Sequence, residues 1–177
     1  MRSPEDMLRA QLFERRLLFL TGDLDDRVAG DIAAQLMTLD ASGDEPVQLH
    51  VDSAGGSLDA AFAVVDTIGL LGVDVHTTCT GRAEGSAVAV VAAGARRRAA
   101  PHASFKLCQP REEVGGRAAD FEAWVAAHQR QLDEFHRHLA AATGRPFEVV
   151  EADTELGRYL DAEAALQYGL VDEIWRK

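Results

Sequence analysis

The chain has 177 residues, 47% of them apolar and 27% charged, with a formal net charge of −11. That length fits one domain with a proper core, expected here over residues 1–177, and the composition is ordinary for a globular protein. The acidic balance disfavours a nucleic-acid partner because phosphates repel it, the longest apolar run (Ala87 to Ala93) is far too short to span a membrane, and Cys79 and Cys108 form neither a disulfide framework nor a metal motif.

Met1 to Arg16 is polar and helical with no apolar signal core, so a cytoplasmic protein without a membrane anchor, metal or cofactor is expected. Leu17-Leu18-Phe19-Leu20, ending at Thr21-Gly22, reads as a buried strand. Asp23 or Asp25 then caps a helix through Leu39, with Val28, Ile32, Leu36 and Leu39 at helical spacing. Val47 to Val51 is the next strand, followed by the turn Ser53-Ala54-Gly55-Gly56-Ser57 and a helix from Leu58 to Leu71. Val73 to Cys79 is a third strand; Gly81 opens a tight turn into a helix from Glu84 to Ala93. Arg96-Arg97-Arg98 reads as a solvated loop or subunit contact, and Ser104 to Leu107 as a fourth strand.

Strand, glycine-rich turn and helix thus recur about every 25–30 residues, the period of βαβ units, and right-handed crossovers stack such strands in parallel. The array is an α/β spiral. Arg111 to Gly116 breaks the rhythm as an exposed strand or loop, and a long helix follows from Ala118 to Thr143, closed by Gly144. Its apolar residues Phe121, Trp124, Val125, Leu132, Phe135 and Leu139 form a stripe. A helix of that length, near 39 Å at about 1.5 Å per residue, outruns a small core, so it is expected to project. His128, His136 and His138 on it lack i, i+4 ligand spacing and read as solvated or interface histidines. Pro146 starts a short helix as its first residue, Ala162 to Tyr168 forms another stopped by Gly169, and Val171 to Trp175 is a last strand.

Several strips, in order and at consistent spacing, resemble the Clp protease proteolytic subunit family, a group of self-compartmentalising serine peptidases. They are Phe19-Leu20-Thr21-Gly22-Asp23-Leu24-Asp25-Asp26, Ala34-Gln35-Leu36, Val51-Asp52-Ser53-Ala54-Gly55-Gly56-Ser57, Asp161-Ala162-Glu163-Ala164-Ala165 and Gly169-Leu170-Val171-Asp172. The resemblance runs from about Glu14 to Ile174. It implies a crotonase-like spiral, rings of seven subunits, and a projecting strand and long helix, the handle (residues 111–143), through which two rings interlock.

Three further strips resemble the family's Ser, His and Asp segments, but the chemistry is missing from them. Aligned residue by residue, Gly85 in Gly81-Arg82-Ala83-Glu84-Gly85-Ser86-Ala87 takes the serine position. Cys108 in Phe105-Lys106-Leu107-Cys108-Gln109-Pro110 takes the histidine position, and Gly157 in Thr154-Glu155-Leu156-Gly157-Arg158 the aspartate position. A serine hydroxyl needs an imidazole to accept its proton and a carboxylate to orient that imidazole. Glycine forms no acyl-enzyme, and a thiol cannot bridge two partners as two ring nitrogens do.

The resemblance places oxyanion donors at the backbone of Gly56 and Ser86, beside Gly55, so weak peptide binding along that strip is expected without turnover. A displaced nucleophile at Ser86 or Cys108 is the alternative. Ser86 lies one residue past the slot, where a helix swings the side chain by about 100°; Cys108 lacks a base, and His102 reads as a loop residue. An acyl-CoA enzyme fits less well, since only Glu84 stands near the two turns as an acid or base. Leu156 replaces an Arg that pairs across the ring interface in active relatives, and Glu112 and Glu113 replace two glycines. These residues, with Phe121 and Trp124, are the candidate oligomer contacts. Two like carboxylates facing their copies across a two-fold repel. About 16 residues precede the first strand, so the loops that gate the family's pore are expected to be missing. The implied partners are the chain itself, an active paralogue and an AAA+ unfoldase.

Overall fold

A computed structural model describes residues 4–110 and 121–176. The outer helix α1 (Pro4–Glu14) leads into β1 (Leu17–Thr21), α2 (Asp26–Asp40) and β2 (Val47–Ser53). Then come α3 (Leu58–Leu70), β3 (Val75–Glu84), α4 (Ser86–Ala92), β4 (Arg96–Ala99) and β5 (Ser104–Leu107). After the undescribed segment follow α5 (Phe121–Thr143), α6 (Phe147–Leu156), β6 (Arg158–Asp161), α7 (Ala162–Tyr168) and β7 (Glu173–Ile174). Side chains cap α2, α3 and α7 at their N-termini: Asp25, Ser57 and Asp161 accept the N–H groups of Val28, Ala60 and Ala164.

The sheet runs β1-β2-β3-β4-β7, all parallel. Leu20, Val51, Cys79, Ala99 and Ile174 share one row across these five strands. That row belongs to the buried face, where α2 contributes Ile32, Leu36 and Leu39 and α3 contributes Leu58, Ala61 and Val64 to the same core. β3 is the pivot of the spiral. Its first part pairs with β4, whereas Arg82 to Glu84 pair with Ser104 to Lys106 of β5 instead. β6 then pairs antiparallel with β5. The corner forms where the β2–β3 register shifts between Val51 and Ser53. There the Asp52 carboxylate accepts the Arg82 N–H at 3.0 Å and presses into the space that a side chain on Gly81 would need. The architecture is the α/β spiral that the βαβ rhythm predicts.

Several sequence expectations need correction. Arg96-Arg97-Arg98 is a strand, not a loop. Its arginines are held inside the chain: Arg96 and Arg98 pair with Glu173, and Arg97 with Asp172. Arg97 also donates to the Ala142 and Gly169 carbonyls at 2.6 and 3.1 Å, closing the ends of α5 and α7. β3 extends five residues past Cys79, so Glu84 ends a strand rather than opening a helix. β6 has no counterpart in the sequence reading, and Pro146 stands as the cap of α6, not its first residue.

The long helix behaves in two ways along its length. Leu132, Phe135 and Leu139 are buried in the chain's own core, whereas Phe121 and Val125 are exposed. His136 is a core residue, 2% exposed, with its ring edge-on to Phe147 of α6, so the solvated or interface reading fails for it. His138 reaches the Ala89 carbonyl at 2.9 Å, and His128 stacks on Trp124. Arg111 to Gly116, with Glu112 and Glu113, and the first turn expected for the long helix lie outside the described residues.

Candidate functional site

Three strand-to-helix turns meet at one end of the parallel strands, and two glycines let them touch. At Gly55 (φ 85°) an added Cβ would sit 2.5 Å from the Glu84 carbonyl oxygen. At Gly56 it would sit 2.7 Å from the Leu24 carbonyl carbon. No side chain fits either position. Ser53 locks the first two turns together: its hydroxyl donates to the Gly22 carbonyl at 2.6 Å and accepts the Gly55 N–H at 3.0 Å. Leu24 adds a parallel bridge, donating its N–H to the Gly55 carbonyl and accepting the Ser57 N–H.

Gly85 joins β3 to α4 with φ 51° and ψ −123°, the conformation of the first central residue of a type II′ turn. This sharp strand-to-helix elbow is the turn on which α/β hydrolases expose a nucleophile. The Gly85 N–H donates to the Lys106 carbonyl, tying the elbow to β5. A Cβ added at Gly85 would find ordinary contacts at 3.7 Å, one of them to Cys108 Sγ. Gly85 and Cys108, to which the resemblance assigns the serine and histidine positions, are therefore adjacent in space.

Gly157 stands differently. It closes α6 in the left-handed region (φ 74°, ψ 48°), and among the described residues the only neighbour within 4 Å of an added Cβ is Lys106 Cε. Lys106 places its ammonium over the Tyr159 ring, and hydrogen bonding to Tyr159 holds its pKa above the ordinary lysine value. A lysine stem thus stands against Gly157, to which the resemblance assigns the aspartate position.

A cavity of about 370 Å³ opens on these turns, lined by Gly55, Gly56, Glu84, Gly85, Ser86 and Cys108 together with Asp23, Ala54, Lys106, Gln109 and Pro110. Among the described residues no imidazole lines it. The two cysteines differ: Cys108 is part-exposed at this cavity, while Cys79 is buried in the sheet and its thiol is pushed up to about 12 by burial. Glu84 faces Arg82 at 3.8 Å, and His102 sits in an exposed turn. Among the described residues no group of three or more His, Cys, Asp or Glu is placed to hold a metal ion.

The Ser86 side chain is fully buried and faces the Gly55-Gly56 turn. The hydroxyl accepts the Gly56 N–H and donates to the Gly56 carbonyl, both at 2.9 Å. The Gly56 amide, expected from the resemblance to be free for a substrate carbonyl, is thus already engaged. Sequence spacing could not supply this partner, since Gly56 lies 30 residues away.

A spiral of βαβ units with a glycine-cradled elbow at the carboxyl ends of its strands defines the crotonase-like class. Within it, a family model described as Clp protease matches residues 3–177, and this chain belongs to the Clp protease family. The ATP-dependent Clp protease proteolytic subunit 1 of Corynebacterium efficiens is 36% identical over 170 residues, covering 94% of this chain and 82% of that protein. The protein of the same description from Corynebacterium glutamicum shows the same identity and coverage.

Proposed function

We propose that this chain is a catalytically silent, ring-forming subunit of a Clp-type proteolytic complex, with a regulatory or structural part in it. The observation that carries the reading is the elbow at Gly85: the backbone is shaped for a nucleophile, and the residue there has no side chain. Without a nucleophile and base, a serine peptidase retains only the residual rate of binding and oxyanion contacts, about 10³–10⁴-fold over water. The names of the two relatives support assembly with an ATP-dependent partner. Exposed Phe121 and Leu156, with part-exposed Trp124, are proposed as contacts with other subunits, either copies of this chain or an active paralogue.

The displaced-nucleophile reading loses support at both candidates. The Ser86 proton is committed to a carbonyl that cannot act as a general base, and among the described residues Cys108 has no imidazole in its cavity. The test pairs casein and fluorogenic dipeptide hydrolysis with native mass measurement of the chain, alone and mixed with an active Clp subunit. The expected results are a ring or mixed ring and no hydrolysis by the chain alone. A stable monomer in both samples, or turnover by the chain alone, contradicts the proposal.

A further inference from the structure

We propose that the Ser86 hydroxyl is an autoinhibitory contact: it stands in for a peptide group against Gly56 and closes the strip to extended polypeptide. The inference rests on the reading above only in taking that strip as a polypeptide-binding one. The Leu24 bridge uses the Gly55 carbonyl and the Ser57 N–H, so Gly56's own N–H and carbonyl turn the opposite way, toward the elbow. An extended peptide passing the elbow would engage those two groups, one donor and one acceptor on the same residue, as an added strand does. Ser86 supplies the complementary pair from a single atom, accepting at 2.9 Å and donating at 2.9 Å.

The contact is well protected. Ser86 is 0% exposed, and its Oγ lies 3.3 Å from the position a Gly55 Cβ would occupy, so the hydroxyl is wedged against the turn. Ser86 opens α4, whose residues Ala87 to Val91 are all fully buried, so the backbone that carries the hydroxyl is held by the core. A peptide must therefore break two existing hydrogen bonds to form its own at Gly56. Each neutral bond exchanged in this way is worth roughly a five- to tenfold change in affinity.

The experiment follows the Gly56 N–H by hydrogen exchange with residue-level mass spectrometry in the full chain, for wild type, S86A and S86C. The added ligand is a fluorescein-labelled, N-acetylated tetra-alanine amide, whose binding is read by anisotropy. Loss of the hydroxyl is expected to speed Gly56 exchange at least tenfold while Val88 to Val91 stay protected. Peptide affinity should rise about tenfold, with Gly56 protected again at saturation. S86C, slightly larger and with a weaker donor and acceptor, should fall between and serves where S86A perturbs folding. Unchanged exchange at Gly56, equal affinities, or peptide binding that leaves Gly56 unprotected overturns the proposal. Hydrolysis by the wild-type chain would instead overturn the silent reading, so the two fail separately.

Discussion

A Cβ placed on Gly85 falls 3.7 Å from Cys108 Sγ, ordinary van der Waals distance. The elbow therefore has room for a side chain aimed at residue 108, and the site lacks groups rather than space. G85S should fold at a cost of about 1–3 kcal/mol for a non-glycine residue at φ 51° and remain inactive, because no base is restored. G85S/C108H/G157D should cleave a fluorogenic dipeptide at least about 100-fold faster than G85S alone. Gly157 opens onto Lys106 Cε at 3.7 Å, so the ammonium competes for a restored carboxylate. Adding K106M should raise the rate again. Equal rates for the triple variant with and without K106M would show that Lys106 does not intercept it.

Glycines in this chain divide by what surrounds them. G56A pushes a methyl into the Leu24 carbonyl and should cost more than about 2 kcal/mol in chemical denaturation. Gly30 lies inside α2 with nothing within 4 Å of an added Cβ. G30A should stabilise by about 0.5–1 kcal/mol through backbone entropy and helix propensity. The opposite order would mean that the turn at Gly56 yields more easily than its contacts imply.

His136 makes stability pH-dependent. Both ring nitrogens are buried with no hydrogen-bond partner among the described residues, and burial lowers its pKa from the ordinary 6.5, with Glu151, Asp133 and Glu155 opposing. The unfolded chain then binds the proton more readily than the folded one, so stability rises with pH. The contribution is complete above pH 6.5 and is lost as pH falls below it. H136F should stabilise by about 1–2 kcal/mol near neutrality, by removing unpaired polar atoms. It should also flatten the denaturation profile between about pH 7 and 5. His50 and His76 are lowered as well, by burial and then by Arg98, so some slope will persist. An unchanged slope in H136F contradicts the assignment.

Much of the spiral is legible in the sequence because its signals are local. Apolar runs, caps at Asp25 and Ser57, and stops at Gly144 and Gly169 each act within a few residues. What escaped was non-local. Arg96 to Arg98 read as loop because three charges in succession look solvated, whereas acceptors 45 to 77 residues away hold them in a strand. His136 passed as an interface residue because its hydrophobic partner Phe147 belongs to another helix. At the site, strip matching proposes Gly85, Cys108 and Gly157 as the triad positions, and the fold brings Gly85 and Cys108 together. The Ser86–Gly56 pairing could not be placed this way, since it depends on two turns meeting in space.

Arg97 ties the last strand to the rest of the fold. It pairs with Asp172 and donates to two helix-terminal carbonyls while only 16% of its side chain is exposed. Burial tends to raise the Asp172 pKa, and hydrogen bonds from Arg97 outweigh this and hold it below the ordinary value. R97A should cost about 2–3 kcal/mol, since it strips partners from two carbonyls and a carboxylate. R97K, without the planar fork, should recover less than half of that loss. Thermal denaturation of the two variants checks both figures, and a neutral R97A would exclude the capping role.

The most direct test is covalent. The assembled protein is incubated with a serine-reactive fluorophosphonate, alone and beside an active Clp subunit, and digested for mass spectrometry. The account predicts labelling of the active subunit and none on this chain, with Ser86 recovered unmodified. A fluorophosphonate adduct on Ser86 would contradict it.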